Sequence, residues 1–207
     1  MIILLGFPKS GTSSFQELFI QLGYNSYHWK KGNEYIGMMI KNNKNNNKPL
    51  LNDFLENDVI TQMDVCMDKE NSYWPQIVDY VKIYNENKSS IYILNKRNPE
   101  KLLNSFKRWR KYDERLYLYS PELIEDKSDN GFINFVNNHY KKIEEFFENK
   151  PESKFISYNI ENDDLEKLKR YIDIKDYKLL PRQNVNPMDS NNFFLSNLGN
   201  MPVRKYR

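Results

Sequence analysis

The residues richest in chemistry stand near the start of the chain, in Gly6-Phe7-Pro8-Lys9-Ser10-Gly11-Thr12-Ser13-Ser14. An apolar run precedes them and an amphipathic one follows. Backbone N–H groups at a helix start have no intrahelical acceptor, and the helix dipole adds positive potential, so such a loop suits an anion. Gly11 lets the backbone approach a phosphate closely. Lys9 supplies a mobile cation, and Thr12 and Ser13 add hydroxyl donors. The nucleoside-triphosphatase loop would read G-x-x-x-x-G-K-[ST]. Gly6 and Gly11 occupy its first and sixth positions, but the seventh is Thr12, and the cation has moved into the loop as Lys9. A plain Gly/Pro turn capped by Ser10 is the structural alternative.

A second constellation is Ile91-Tyr92-Ile93-Leu94-Asn95-Lys96-Arg97-Asn98-Pro99, continuing to Ser105. Arg97 leaves an apolar strand just before a helix that carries Ser105. A guanidinium fork and a hydroxyl can grip one phosphate monoester from two sides. Lys101, Lys107 and Arg108 add positive potential. The alternative is a solvated basic helix face with Arg97 in a structural ion pair.

Alternating elements must position these groups. Met1–Leu5 reads as a buried parallel strand. Thr12–Leu22 has helical spacing at Phe15, Leu18, Phe19 and Leu22, with Gly23 to end it. A short helix is expected at Glu34–Ile40, and an exposed low-complexity Asn/Lys loop at 41–48. Further strands are expected at Asp58–Met63, Ser90–Leu94 and Lys154–Tyr158. Helices are expected at Tyr73–Tyr84, after Asn98-Pro99-Glu100, at Phe132–Phe147 with Asp129 as cap, and at Asp164–Ile172. The pattern implies an α/β fold: one three-layer domain over 1–207, a P-loop fold with a central parallel sheet flanked by helices. Ligands of such sheets bind beyond the carboxyl ends of the strands.

The two constellations together resemble the sulfotransferase family, whose enzymes use 3′-phosphoadenosine 5′-phosphosulfate (PAPS). Its first loop is similar to Pro8-Lys9-Ser10-Gly11-Thr12-Ser13 and, with Ser14 following, would hold the 5′-phosphosulfate. Its second segment, an Arg and a Ser eight residues on, matches Arg97 and Ser105 and would hold the 3′-phosphate. Gly6–His28 and Leu180-Pro181-Arg182-Gln183-Asn184-Val185-Asn186 resemble a compact branch of that family. Many relatives close the 3′-phosphate site with a late Arg-Lys-Gly; here Arg204-Lys205 is followed by Tyr206. The resemblance implies transfer of a sulfuryl group to a hydroxyl or amine, with 3′-phosphoadenosine 5′-phosphate (PAP) as product and no metal. Lys9 would stabilise the leaving phosphate. Relatives place a His or a carboxylate near the end of a neighbouring strand, which makes Asp64 the first candidate base and His28 the second. Asp68 is a weaker candidate. His139 reads as a surface residue, and Cys66 as a bystander thiol. Phe7, Tyr27, Trp29, Trp74 and Trp109 are candidates for an adenine or acceptor pocket, with core packing as the alternative.

Composition sets outer bounds. Hydrophobic residues are 39% and aromatic ones 14%, a globular profile. One cysteine and two histidines exclude an internal disulfide and leave little for a metal site. The net charge of +3 suits a small polyanion and does not require nucleic acid. Met1–Leu5 is too short for a signal h-region or a membrane span, so a cytoplasmic protein is expected. The chain has no alanine and abundant Asn, Lys, Ile and Tyr, which suggests an AT-rich genome such as that of a virus, phage or protist. A P-loop kinase using magnesium-ATP and a non-catalytic nucleotide-binding module are the competing readings. The acceptor, whether small molecule, carbohydrate, lipid or peptide, and the oligomeric state are not encoded in any motif.

Overall fold

Ile2, Ile3 and Leu4 form strand β1 (Ile2–Leu4), and all three are buried. Both faces of this strand are covered, which is why its apolar run does not alternate. A computed structural model describes residues 1–181. After β1 come α1 (Thr12–Gln21), β2 (Asn25–His28), β3 (Lys30–Lys31), β4 (Glu34–Tyr35), α2 (Ile36–Asn45) and β5 (Asp58–Gln62). A small hairpin, β6 (Val65–Cys66) and β7 (Ser72–Tyr73), leads into α3 (Pro75–Val78) and α4 (Tyr80–Glu86). Then follow β8 (Ile91–Lys96), α5 (Pro99–Arg108), α6 (Tyr112–Tyr119), α7 (Asp129–Glu148) and β9 (Lys154–Asn159).

The main sheet has the order β4-β3-β2-β5-β1-β8-β9. Its β2, β5, β1, β8 and β9 run parallel, and β3 and β4 add an antiparallel edge. Ile2 and Leu4 face a cluster with Phe15, Leu18 and Phe19 of α1 and with Leu165 and Leu168 of a 3-10 turn. Ile3 and Leu5 face the opposite way, against residues of α2, α4, α5, α6 and α7 such as Ile40, Ile83, Leu102, Leu116 and Phe132. These are the three layers of the expected α/β architecture. From β1 the chain fills one side of the sheet with β2 and β5, then crosses to β8 and β9 on the other. Sheets whose strand order reverses in this way bind ligands beyond the carboxyl ends of the strands, where the loops after β5, β1 and β8 lie.

Several local expectations change. Strand β2 carries no apolar run, yet it pairs with β5 from Asn25↔Asp58 onward. The helix expected at Glu34–Ile40 starts at Ile36, after a two-residue strand, and runs to Asn45. Residues 41–45 of the Asn/Lys stretch 41–48 are therefore helical. Its Asn43 is buried and donates to the Leu50 carbonyl at 3.2 Å and to Asp53 at 2.7 Å, which ties the helix end to the following turns. The helix expected at Tyr73–Tyr84 is split at Asp79, whose carboxylate receives the Tyr73 hydroxyl and pairs with Lys44. Helix α7 is capped by the Ser128 hydroxyl, which accepts from the Gly131 N–H, and Asp129 is its first residue. The segment at Asp164–Ile172 is a 3-10 turn, Leu165–Arg170, capped by Asp164. Asn98 caps α5 as expected, accepting from the Lys101 N–H. No helix among the described residues is long and apolar enough to cross a membrane. The late segments Arg182–Asn186 and Arg204-Lys205 lie outside the described residues.

His139 is not at the surface. It is buried on the apolar face of α7, its Nε2–H donates to the Leu5 carbonyl at 2.8 Å, and its ring meets Phe7 edge-on. Burial pushes its pKa down to about 4 from 6.5. The unfolded chain then takes up the proton first, so stability is present above pH 6.5 and is lost as the pH falls through 4. The linked free energy is about 3 kcal/mol. A His139→Gln variant, which keeps an N–H donor but does not titrate, should lose this arm of the acid dependence. Urea unfolding at pH 7 and pH 4.5 checks it; equal slopes for variant and parent would refute the assignment.

Candidate active site

The loop between β1 and α1 is shaped by one side chain from β8. Asn95, fully buried, accepts from the Gly6 N–H at 2.9 Å and donates to the Ser10 carbonyl at 3.0 Å and the Ser10 hydroxyl oxygen at 2.6 Å. The Ser10 hydroxyl in turn donates to the Phe7 carbonyl. Gly6 lies so close that a Cβ there would stand 2.2 Å from the Asn95 carbonyl oxygen. Gly11 precedes α1 at φ +80°, in the left-handed region where a side chain is strained. Pro8 and Ser10 are buried within the loop, and the half-buried Ser13 and Ser14 belong to the first turn of α1.

Lys9 is also left-handed, at φ +67°. That conformation is uncommon for a residue with a Cβ. Two contacts hold it. The Arg97 guanidinium donates to the Lys9 carbonyl at 2.8 Å, and the Lys9 ammonium sits 4.9 Å from the centre of the Trp109 ring. Burial and then the nearby Arg97 charge lower the Lys9 pKa. The two sequence constellations therefore meet in space. Around Arg97 lie two adjoining grooves. One, of about 420 Å³, is lined by Lys96, Arg97, Asn98, Tyr140, Asn159 and neighbours at the end of β9. The other, of about 540 Å³, is lined by Arg97, Lys101, Asn104, Lys107, Arg108 and Glu161. Tyr140 fixes the Arg97 backbone, accepting its N–H at 3.1 Å and donating to its carbonyl at 3.3 Å. Ser105 lies on the same helix as these cations but keeps only 5% of its surface exposed.

The candidate bases part company. His28 ends β2 beside the loop, with Nε2 3.0 Å from the Thr12 hydroxyl and 3.4 Å from the Ser13 hydroxyl. Burial, and then Lys9, push its pKa down to about 4, so it is neutral at pH 7. Asp64 is sealed from solvent, unlike a carboxylate that meets an acceptor directly. It accepts from Gln62 and Tyr112 on one oxygen and from Gln76 on the other, each at 3.1 Å. Burial raises its pKa to about 6 against the opposing pull of these donors. Asp68 is exposed and caps the β6–β7 turn. Cys66 is buried, and burial raises its thiol to about 11.

Of the five aromatic candidates, Trp109 contacts Lys9. Phe7 and Trp74 are buried in the core, Tyr27 packs on Phe54, and Trp29 packs on Tyr35. Asn95, Gln62 and Tyr112 were not legible as site residues, because their partners are 85, 50 and 48 residues away. Among the described residues no cluster of three or more His, Cys, Asp or Glu could hold a metal ion.

Comparison with known families agrees with the geometry. The family model described as a sulfotransferase domain matches residues 1–155, a span that includes the loop, His28, Asp64 and the Arg97–Ser105 segment. The chain belongs to this sulfotransferase domain family. No individual curated protein matches it.

The closeness of Gly6 to Asn95 is directly testable. Gly6→Ala should destabilise the fold by about 1–3 kcal/mol, because a Cβ can be admitted only by moving backbone. Urea midpoints measure this, and an unchanged midpoint would contradict the close packing of β1 against β8.

Proposed function

We propose that the protein transfers the sulfuryl group of PAPS to an acceptor hydroxyl or amine. The observation that carries this reading is the bond from Arg97 to the Lys9 carbonyl, which makes the anion loop continuous with a cationic groove. A donor with a phosphosulfate at one end and a phosphate monoester at the other needs such a continuous, two-centred site. The residues fit it. Gly11 lets the loop take its left-handed turn into α1 without strain, and the positive end of the α1 dipole faces the loop. Lys9 and Arg97 are like charges in a half-buried space, an arrangement that an anion relieves.

PAPS, when bound, supplies the sulfuryl group and a phosphate leaving group. Lys9 and the first turn of α1 would hold the 5′ end and stabilise charge gathering on the phosphate. Arg97, with Lys101 and Arg108, would bind the 3′-phosphate. Ser105 would add a hydroxyl where its exposed edge permits. His28, the neutral base beside the loop, would receive the acceptor proton. Burial first and the Lys9 charge second hold its pKa down, and a polyanionic donor would offset the second of these. The half-buried platform of Trp109 and the groove at the end of β9 leave room for the adenosine and the acceptor.

Calorimetric titration with PAP, beside magnesium-ATP, tests the donor. Magnesium-independent binding of PAP is expected, and a preference for magnesium-ATP would point to a kinase. Lys9→Ala should lower transfer by about 100-fold or more while PAP still binds. Arg97→Ala should weaken PAP by about 10- to 100-fold, the worth of a charged hydrogen bond, and weaken the analogue without a 3′-phosphate far less. Equal weakening of both would leave Arg97 only as a strut for the loop.

A further inference from the structure

Asp64 is a fully buried carboxylate that no sulfuryl acceptor can reach, yet a line of hydrogen bonds runs from it to His28. The direction of each bond follows from the protons available. An ionised carboxylate only accepts. Asp64 receives Nε2 of Gln62 and the Tyr112 hydroxyl, and Nε2 of Gln76 on its other oxygen. The Gln62 amide therefore turns its NH2 towards Asp64 and its oxygen towards Thr12. The Thr12 hydroxyl, 3.2 Å from that oxygen, donates to it. A hydroxyl has one proton. The contact of 3.0 Å between Thr12 and His28 Nε2 must then be donated by the ring. The Ser13 hydroxyl, 3.4 Å from the same nitrogen, is a second acceptor of that N–H.

We infer that Asp64, acting through Gln62 and Thr12, fixes His28 as its Nε2–H tautomer and so leaves Nδ1 as the basic nitrogen. Asp64 is a positioning residue in this arrangement, and Gln62 is the link that carries its polarity. All three members before His28 are at most 6% exposed, so water does not compete along the line. The catalytic consequence rests on the sulfuryl-transfer reading. The acceptor oxygen or nitrogen forms a bond to sulfur while the bond from sulfur to the 5′-phosphate oxygen breaks, its electron pair staying on the phosphate. The acceptor proton passes to His28 Nδ1. The resulting imidazolium keeps its Nε2–H on Thr12.

The test separates the tautomer from the turnover. Nitrogen-15 correlation spectra of histidine-labelled protein at pH 7 should show His28 protonated at Nε2, with His139 assigned through its own substitution. Gln62→Met is nearly isosteric and cuts the line. It should convert His28 to a mixture of tautomers and lower kcat by about 10- to 100-fold, with the KM for PAPS changed by less than about threefold. Asp64→Asn frees the Gln62 amide to turn and should act in the same direction, and far-ultraviolet circular dichroism establishes that each variant is folded. A parent spectrum showing Nδ1–H, or an unchanged tautomer in folded Gln62→Met, would overturn the relay. Failure of PAP to bind, with the Nε2–H tautomer and its response intact, would instead remove the sulfuryl-transfer reading and leave the relay standing.

Discussion

Asn95 joins the end of β8 to the loop after β1 through three hydrogen bonds, to Gly6, to the Ser10 carbonyl and to the Ser10 hydroxyl. A buried primary amide that is both donor and acceptor can close a loop in this way, and an apolar or charged residue of similar size cannot. Everything around the loop after β1 depends on this closure. It sets the approach of β1 to β8, which leaves space at Gly6 for no side chain. It also brings the residues that follow β8 next to Lys9, two positions further on at Arg97.

Lys9 illustrates how the frame is used. Its left-handed backbone costs on the order of 1–2 kcal/mol. Its carbonyl is held by Arg97 and its ammonium lies over Trp109. Both ends of the residue are fixed before any anion arrives. The ammonium and the guanidinium repel each other in a half-buried space, which lowers the Lys9 pKa after the effect of burial itself. A site that stores like-charge repulsion gains more from an anion than an exposed lysine pair does.

Much of this was legible in the sequence, for reasons that differ by element. Strand β1, the loop and α1 are consecutive, so apolar run, glycines and 3.6-residue spacing identify them without tertiary knowledge. The same holds for β8, Asn98 as cap, and α5. Strand β2 was invisible because Asn25-Ser26-Tyr27-His28 has no apolar signature and is held in the sheet by its pairing with β5 and β3. The Asn/Lys stretch looked like a loop, but Asn43 is buried by partners at Leu50 and Asp53. His139 had a readable signal that charge obscured. It shares a helix face with Phe132, Val136 and Ile143, although Lys141 and Lys142 lie beside it in sequence. The roles of Asn95 and Gln62 are set by contacts across the sheet, and no local pattern announces them.

Asp64 shows why position at a strand end is insufficient evidence for a base. The carboxyl end of β5 lies on the edge of the sheet where ligands of this architecture bind, and the residue type suits proton transfer. An exposed carboxylate there would, however, add its negative charge to a site arranged around Lys9 and Arg97 and would oppose an anionic ligand. Burial under Gln62, Gln76 and Tyr112 keeps that charge away from the loop. Two neutral dipoles, Gln62 and Thr12, pass on its orientation without its field at full strength. In the proposed reaction the proton acceptor is then an imidazole, neutral before the acceptor arrives and cationic afterwards, beside a leaving phosphate that would gain negative charge in the same step.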